Sequence, residues 1–325
     1  MTKYILRRVL QAIPVLFVIS LILFTITQVL PDKPWALLLH NPRLTLADRL
    51  RILHYYGFDQ PFWLQYFLYM KHLLSLPPDL GTSYFSHQTT LSLIRERLPN
   101  TLVLMGSFYI VTLSLSIPIG IIAAVKQYSK FDNLVTTGAF VGISLPNFWF
   151  GLMLIILFAV IPYEHLGFKI FPTGGMWDPG HVGDPLNLLW HLVLPAIVLS
   201  VQSIAQYSRF MRSSMLDVLN QDYIRTARAK GLAEGRVVLR HALRNSLLPL
   251  ITLMGIEIPQ LFVGALITEQ VFAWPGMGRL FWDAAQKTDV QVLVGILVLL
   301  SVLVVFGNLI ADVAYGWADP RIQYR

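Results

Sequence analysis

Long stretches without charged side chains dominate the sequence. Six of them are long enough to cross a bilayer, and they lie at 9–30, 98–125, 133–163, 185–208, 245–268 and 290–311. Because the hydrocarbon core requires about 20 apolar residues in a helix, each stretch predicts one transmembrane helix. Glu257 interrupts the fifth stretch, and the end of the long third stretch is expected to be a loop. The pattern predicts an all-α membrane protein with six transmembrane helices.

The first stretch follows three basic residues, Lys3, Arg7 and Arg8, as the apolar part of a signal peptide would. It is too long for that part of a signal peptide, and residues 27–31 lack a cleavage site of small residues. We therefore expect it to be a retained membrane anchor.

The composition supports a lipid environment. Only 13% of the 325 residues are charged, against about 25% in average soluble domains, and the mean hydropathy is +0.59. The chain contains no cysteine, so disulfides, thiolate metal sites and cysteine nucleophiles are excluded. The net charge of +7 is explained by basic loops of a membrane protein, and we expect no nucleic-acid partner.

The distribution of Lys and Arg predicts the orientation in the membrane. The segment 209–244 carries eight basic residues against three acidic ones, whereas 164–184 carries one basic residue and 269–289 carries two. Short basic loops stay in the cytoplasm, so both chain ends are predicted to be cytoplasmic. The chain is then organised as a cytoplasmic start and first helix (1–30), an external loop (31–97), a five-helix core (98–311) and a cytoplasmic tail (312–325).

The external loop contains a helical pattern at 44–53 and an aromatic cluster after it, made of Trp63, Tyr66, Phe67 and Tyr69. Aromatic side chains favour the boundary between lipid and water. The loop is therefore either an interfacial helix that covers the span ends or a docking surface for an external partner.

The segment 220–231 predicts a short, rigid cytoplasmic helix. Asn220 is a suitable N-cap, Asp222 lies in the first turn, and Gly231 can end the helix, which would occupy about 221–230. Small side chains alternate with basic ones in its body, so another surface could approach closely. Three arginines at a spacing of four follow at 236, 240 and 244. The alternative for this basic loop is contact with lipid phosphates.

The segment 222–232 reads DYIRTARAKGL, followed by RHALRN at 240–245 and Leu248-Pro249. It resembles the EAA loop of bacterial ABC importer permeases, in particular the membrane subunits of dipeptide and oligopeptide importers. Arg225-Thr226-Ala227 stands in place of Glu-Ala-Ala, as is usual in the peptide branch. Segments at 4–8, 57–61, 79–83, 96–101, 144–149, 268–272, 274–280 and 319–322 resemble the same family. One departure is PDKP at 31–34, where the family usually has Pro-Gly-Asp-Pro.

The resemblance implies a type I ABC importer permease (MetI-like) fold, forming half of a pathway for dipeptides, oligopeptides or related solutes in a bacterial inner membrane. It implies a second homologous permease subunit, two ATP-binding subunits and an external substrate-binding protein as partners. The ATPase-coupling helix would contain Arg225, Thr226, Ala227, Arg228, Ala229, Lys230 and Gly231. No cofactor is expected on this chain, since ATP and Mg²⁺ would lie on the partner subunits.

Glu257 and Gln260 are candidate pathway residues in the fifth stretch. They share one helical side with Gly264 and Thr268, and an ionised acid at the bilayer centre costs about 2.5–3.5 kcal/mol. This polar stripe therefore either lines the pathway or makes hydrogen bonds to another helix.

Two other functions would fit six spans. A secondary transporter or channel usually shows internal repeats, and none is evident in the sequence. An intramembrane enzyme would need a nucleophile with its base or a metal cluster, and no such motif occurs. The sequence also lacks G-x-x-x-x-G-K-[ST], so the chain is not expected to hydrolyse ATP.

Overall fold

A computed structural model describes residues 2–29, 45–55, 59–257 and 265–318. Within these ranges the chain is mostly helical, and its β-structure is one isolated bridge between Thr82 and Thr89. The helices in chain order are α1 (Thr2–Val29), α2 (Leu46–Tyr55), α3 (Phe62–Leu73), α4 (Thr90–Val125), α5 (Lys130–Ser144), α6 (Asn147–Ile155), α7 (Ile161–Leu166), α8 (Pro185–Leu219), α9 (Asp222–Ala229), α10 (Glu234–Arg236), α11 (Leu243–Glu257), α12 (Leu266–Val271), α13 (Met277–Gln286) and α14 (Val290–Ala318). Two π-helical turns, Ile156–Val160 and Val237–Ala242, join α6 to α7 and α10 to α11.

Five described helical segments are long and apolar enough to cross a membrane. They are Leu6–Val29, Thr90–Val125, Asn147–Leu166, Pro185–Leu219 and Val290–Ala311. These segments correspond to five of the six predicted stretches. In the remaining stretch, α11 ends at Glu257, and residues 258–264 lie outside the described part of the chain. The prediction of an all-helical, multi-span membrane protein is confirmed.

The third stretch forms two helices instead of one. Leu145 has an extended backbone before Pro146, and α6 begins after that proline. A proline ring clashes with a helical residue before it, which accounts for the break. The expectation of a loop at the end of the stretch is wrong, because the helix continues to Leu166 and ends at Gly167 with φ +78°.

The two longest helices, α4 and α8, pack against each other along their length and form the centre of the fold. With 36 and 35 residues they are each about 50 Å long and extend beyond a hydrocarbon core of about 30 Å. The two helices approach closely at Gly120. A β-carbon there would lie 2.6 Å from Cβ of Met211 and 2.7 Å from the backbone oxygen of Ser208.

The aromatic cluster of the external loop lies partly against the first helix. Tyr66 of α3 is buried, its ring is 5.4 Å from that of Phe24, and its hydroxyl is 2.8 Å from the Ser20 hydroxyl. Trp63 and Phe67 on the same helix are exposed. The α3 helix therefore packs along α1 instead of lying only above the span ends.

Candidate functional site

The short helix predicted at 221–230 is present as α9. It covers Asp222–Ala229 and follows α8 after a two-residue connection. The prediction of Asn220 as its N-cap is wrong. Asn220 instead ends α8, where its side-chain amide donates to the backbone oxygen of Leu216 at 3.0 Å, and Gln221 precedes α9 without a side-chain cap.

The carboxyl end of α9 has the hydrogen bonds of a Schellman motif. The backbone N–H of Gly231 donates to Arg228 and that of Leu232 donates to Ala227, at 2.9 and 3.4 Å. Gly231 has φ +76°, a left-handed conformation in which a side chain would be strained. The predicted role of Gly231 in ending the helix is confirmed.

One face of α9 belongs to the hydrophobic core of the chain. Ile224 and Ala227 are buried against Met211 and Met215 of α8 and against Val237 of the second π-helical turn. Ala227 therefore does not belong to the exposed small-residue surface that the sequence predicted. The outward surface of α9 and its C-cap includes Arg225, Thr226, Arg228, Ala229 and Lys230.

Two of the basic side chains on α9 have partners within the chain. Arg228 makes two hydrogen bonds to the Glu234 carboxylate, at 2.5 and 3.1 Å, and the bonds lower the pKa of Glu234. Arg225 lies 3.5 Å from Asp222 in an exposed pair. Because Glu234 follows Gly231, the Arg228 pair closes the loop after α9. Such surface pairs contribute at most about 1 kcal/mol.

The part of α8 that supports α9 is fixed to α5 by an ion pair. Arg212 donates two hydrogen bonds to Asp132, at 2.5 and 2.7 Å, and the Asp132 side chain is 3% exposed. These bonds hold the pKa of Asp132 below its usual range. Planar bidentate pairs of this kind fix orientation as well as distance. The part of α8 around Met211 and Met215, called here the platform of α9, is thus attached to α5.

Glu257 makes hydrogen bonds to two other helices. The Tyr207 hydroxyl of α8 donates to its carboxylate, and the Tyr109 hydroxyl of α4 donates to its backbone oxygen at 3.0 Å. These contacts support the second of the two alternatives for Glu257, a bond between helices. Gln260 and Gly264 lie outside the described residues, and Thr268 is 3% exposed in α12. The tyrosine partners were not identified from the sequence.

The sequence indicates Glu269 only as part of the segment 268–272, and the structure shows it to be a buried carboxylate. It is 0% exposed and accepts hydrogen bonds from Thr101 of α4 and from the backbone N–H of Arg279, both at 2.9 Å. Burial raises the pKa of Glu269. Because Arg279 lies in the first turn of α13, the carboxylate occupies the amino end of that helix, where negative charge is stabilised. Glu269 therefore holds the segment 272–279 against α4.

These features define an integral membrane permease, in which spanning helices carry a short, firmly seated helix outside the apolar segments. Sequence comparison agrees with this class. Residues 116–324 match the family described as binding-protein-dependent transport system inner membrane component. Residues 1–105 match the N-terminal region described for the same membrane components. The chain belongs to this family, and it is a transport permease subunit and not an ATPase.

Full-length relatives support the same assignment. The chain is 45% identical over 325 residues to the oligopeptide transport system permease protein AppB of Bacillus subtilis. It is 36% identical over 343 residues to the dipeptide transport system permease protein DppB of Escherichia coli. Both matches cover 100% of each chain. The predicted resemblance to ABC importer permeases is confirmed.

A solved structure supports the fold. A chain of the MetNI methionine ABC transporter, in an inward-facing form, matches with a TM-score of 0.54 over 70% of this chain and 97% of that chain. The two sequences are 17% identical, so this match concerns the fold alone. The predicted MetI-like architecture is confirmed.

Proposed function

We propose that this chain forms half of the membrane pathway of an ATP-driven importer for dipeptides, oligopeptides or related solutes. The other half is a second homologous permease subunit, two ATP-binding subunits lie on the cytoplasmic side, and an external binding protein delivers the solute. Both chain ends are cytoplasmic in this proposal. ATP and Mg²⁺ are held by the ATP-binding subunits, so this chain carries no cofactor.

The observation that carries the proposal is the seating of α9. Ile224 and Ala227 fix one face of the helix in the core, while Thr226, Ala229 and Lys230 form an outward surface. Met211 and Met215 of α8 belong to the same buried cluster, so a force on that surface is transmitted to α8 through the core. The geometry therefore suits α9 as the element that couples ATP hydrolysis to movement of the membrane helices, since coupling requires different contacts in two states.

The test uses the complex as it co-purifies with this chain, reconstituted in liposomes. Uptake of labelled dipeptide and oligopeptide should require ATP, and Ala229→Trp should abolish the coupling by obstructing the outward surface of α9. Ala229→Ser is the matched control and should transport normally. Peptide uptake driven by an ion gradient without an ATPase would overturn the proposal and favour a secondary transporter.

A further inference from the structure

A groove lies between α5 and α8, away from the outward surface of α9. Its volume is about 550 Å³. It is lined by polar, basic and apolar side chains, namely Thr136, Ile143, Gln206, Arg209, Phe210, Arg212 and Ser213. Apart from Arg212, whose ion pair with Asp132 supports α9, these side chains have no part in the proposed coupling and pathway roles.

The groove carries unbalanced positive charge. Arg212 is paired with Asp132, but Arg209 makes no ion pair with any carboxylate in the described ranges. Its guanidinium instead lies 4.9 Å from the centre of the Phe140 ring, and the residue is exposed. The aromatic ring supports the cation without neutralising it. The charge of Arg209 is therefore available to an anion.

The groove lies at the level where both helices leave the apolar region. Arg209 directly follows the uncharged stretch 185–208, and Asp132 directly precedes the stretch 133–163. Exposed apolar side chains of α5 continue from this level towards the membrane interior, with Ile143 in the groove itself. A bound molecule would thus meet cationic and hydroxyl donors at one end and apolar side chains at the other.

We propose that this groove binds an anionic glycerophospholipid, with its phosphodiester at Arg209 and its acyl chains along the apolar side of α5 and α8. With the orientation predicted from the loop charges, the lipid comes from the cytoplasmic leaflet, which carries anionic headgroups. The donors that match the phosphate oxygens come from Arg209, Gln206, Ser213 and Thr136. A lipid held there contacts both helices joined by the Asp132–Arg212 ion pair and so bears on the platform under α9.

The experiment titrates the full purified chain with phosphatidylglycerol or phosphatidylcholine and counts bound lipid by native mass spectrometry. The chain should retain phosphatidylglycerol in preference to phosphatidylcholine, and photoactivatable phosphatidylglycerol should crosslink to α5 or α8. Arg209→Gln should weaken phosphatidylglycerol binding about fivefold, the effect of one cation near an anionic headgroup. Arg209→Lys should restore most of the binding.

Arg95→Gln is the matched control, because it removes the same charge from an exposed position near the start of α4, far along that helix from the groove, and should leave lipid binding unchanged. Melting temperatures should also be equal, since the described contact of Arg209 is with a single aromatic ring. Three results would overturn the inference. They are unchanged phosphatidylglycerol binding in Arg209→Gln, effective competition by inorganic phosphate, and loss of a co-purifying membrane subunit in Arg209→Gln with lipid binding intact.

Discussion

A pair of substitutions on α9 tests whether the helix has one face in the core and one available to a partner. Ala227 is 6% exposed within the cluster formed with Met211 and Met215, whereas Ala229 is exposed. Inserting a larger side chain into a packed core costs about 1–3 kcal/mol. Ala227→Phe should lower the free energy of opening of α9 by that amount, and Ala229→Phe should leave it unchanged.

Hydrogen exchange of the purified chain measures this opening directly. A free energy of opening that is lower by about 1–3 kcal/mol makes amide exchange roughly 5- to 150-fold faster, and this is expected over 222–232 in Ala227→Phe. Ala229→Phe should exchange at the normal rate and yet fail to retain the ATP-binding subunit during purification. Equal acceleration in both variants would show that the two faces of α9 are not distinguished as the packing requires. Retention of the ATPase by Ala229→Phe would remove α9 as the coupling element.

Three further predictions concern the loop end, the carboxylate between the helices and the topology. Gly231→Val should destabilise the end of α9 by about 1–2 kcal/mol, because of its φ of +76°, and should reduce coupled transport while the purified chain keeps its melting temperature. Glu257→Gln retains an acceptor for Tyr207, so thermal unfolding should show a loss of only about 1 kcal/mol with intact ATPase assembly; a transport defect at full stability would instead assign Glu257 to the pathway. A cysteine at exposed Ser86 should react with an impermeant reagent outside intact cells, and one at Arg225 should not; the reverse pattern would contradict the orientation.

The transmembrane helices could be predicted from the sequence because a lipid environment imposes a local rule. Each span must be apolar over its own length, so no knowledge of distant residues is needed. The break at Pro146 was not predicted. Proline is tolerated in membrane helices when neighbours satisfy the freed backbone groups, and the sequence does not show whether they do.

The side chains of the candidate site depend on contacts between distant segments. Asn220 suits either helix end, and only the contact with Leu216 shows that it belongs to α8. Ala227 faces inward because Met211 and Val237 lie there, which the spacing within α9 could not reveal. Ser83 lies in the predicted external loop, yet it is 4% exposed and donates to Asp289 at 2.6 Å. The direction in which these residues point follows from tertiary packing.

The close approach at Gly120 restricts how the protein can move. If α4 slid along α8 by one turn, about 5.4 Å, Ser116 or Ala124 would occupy the position next to Met211. Each carries the β-carbon for which the contact distances leave no space. This contact therefore opposes sliding of α4 along α8 and favours movement of the two helices together. Rotation of helices relative to this pair is then expected at breaks such as the extended backbone before Pro146, where helical hydrogen bonding is already interrupted.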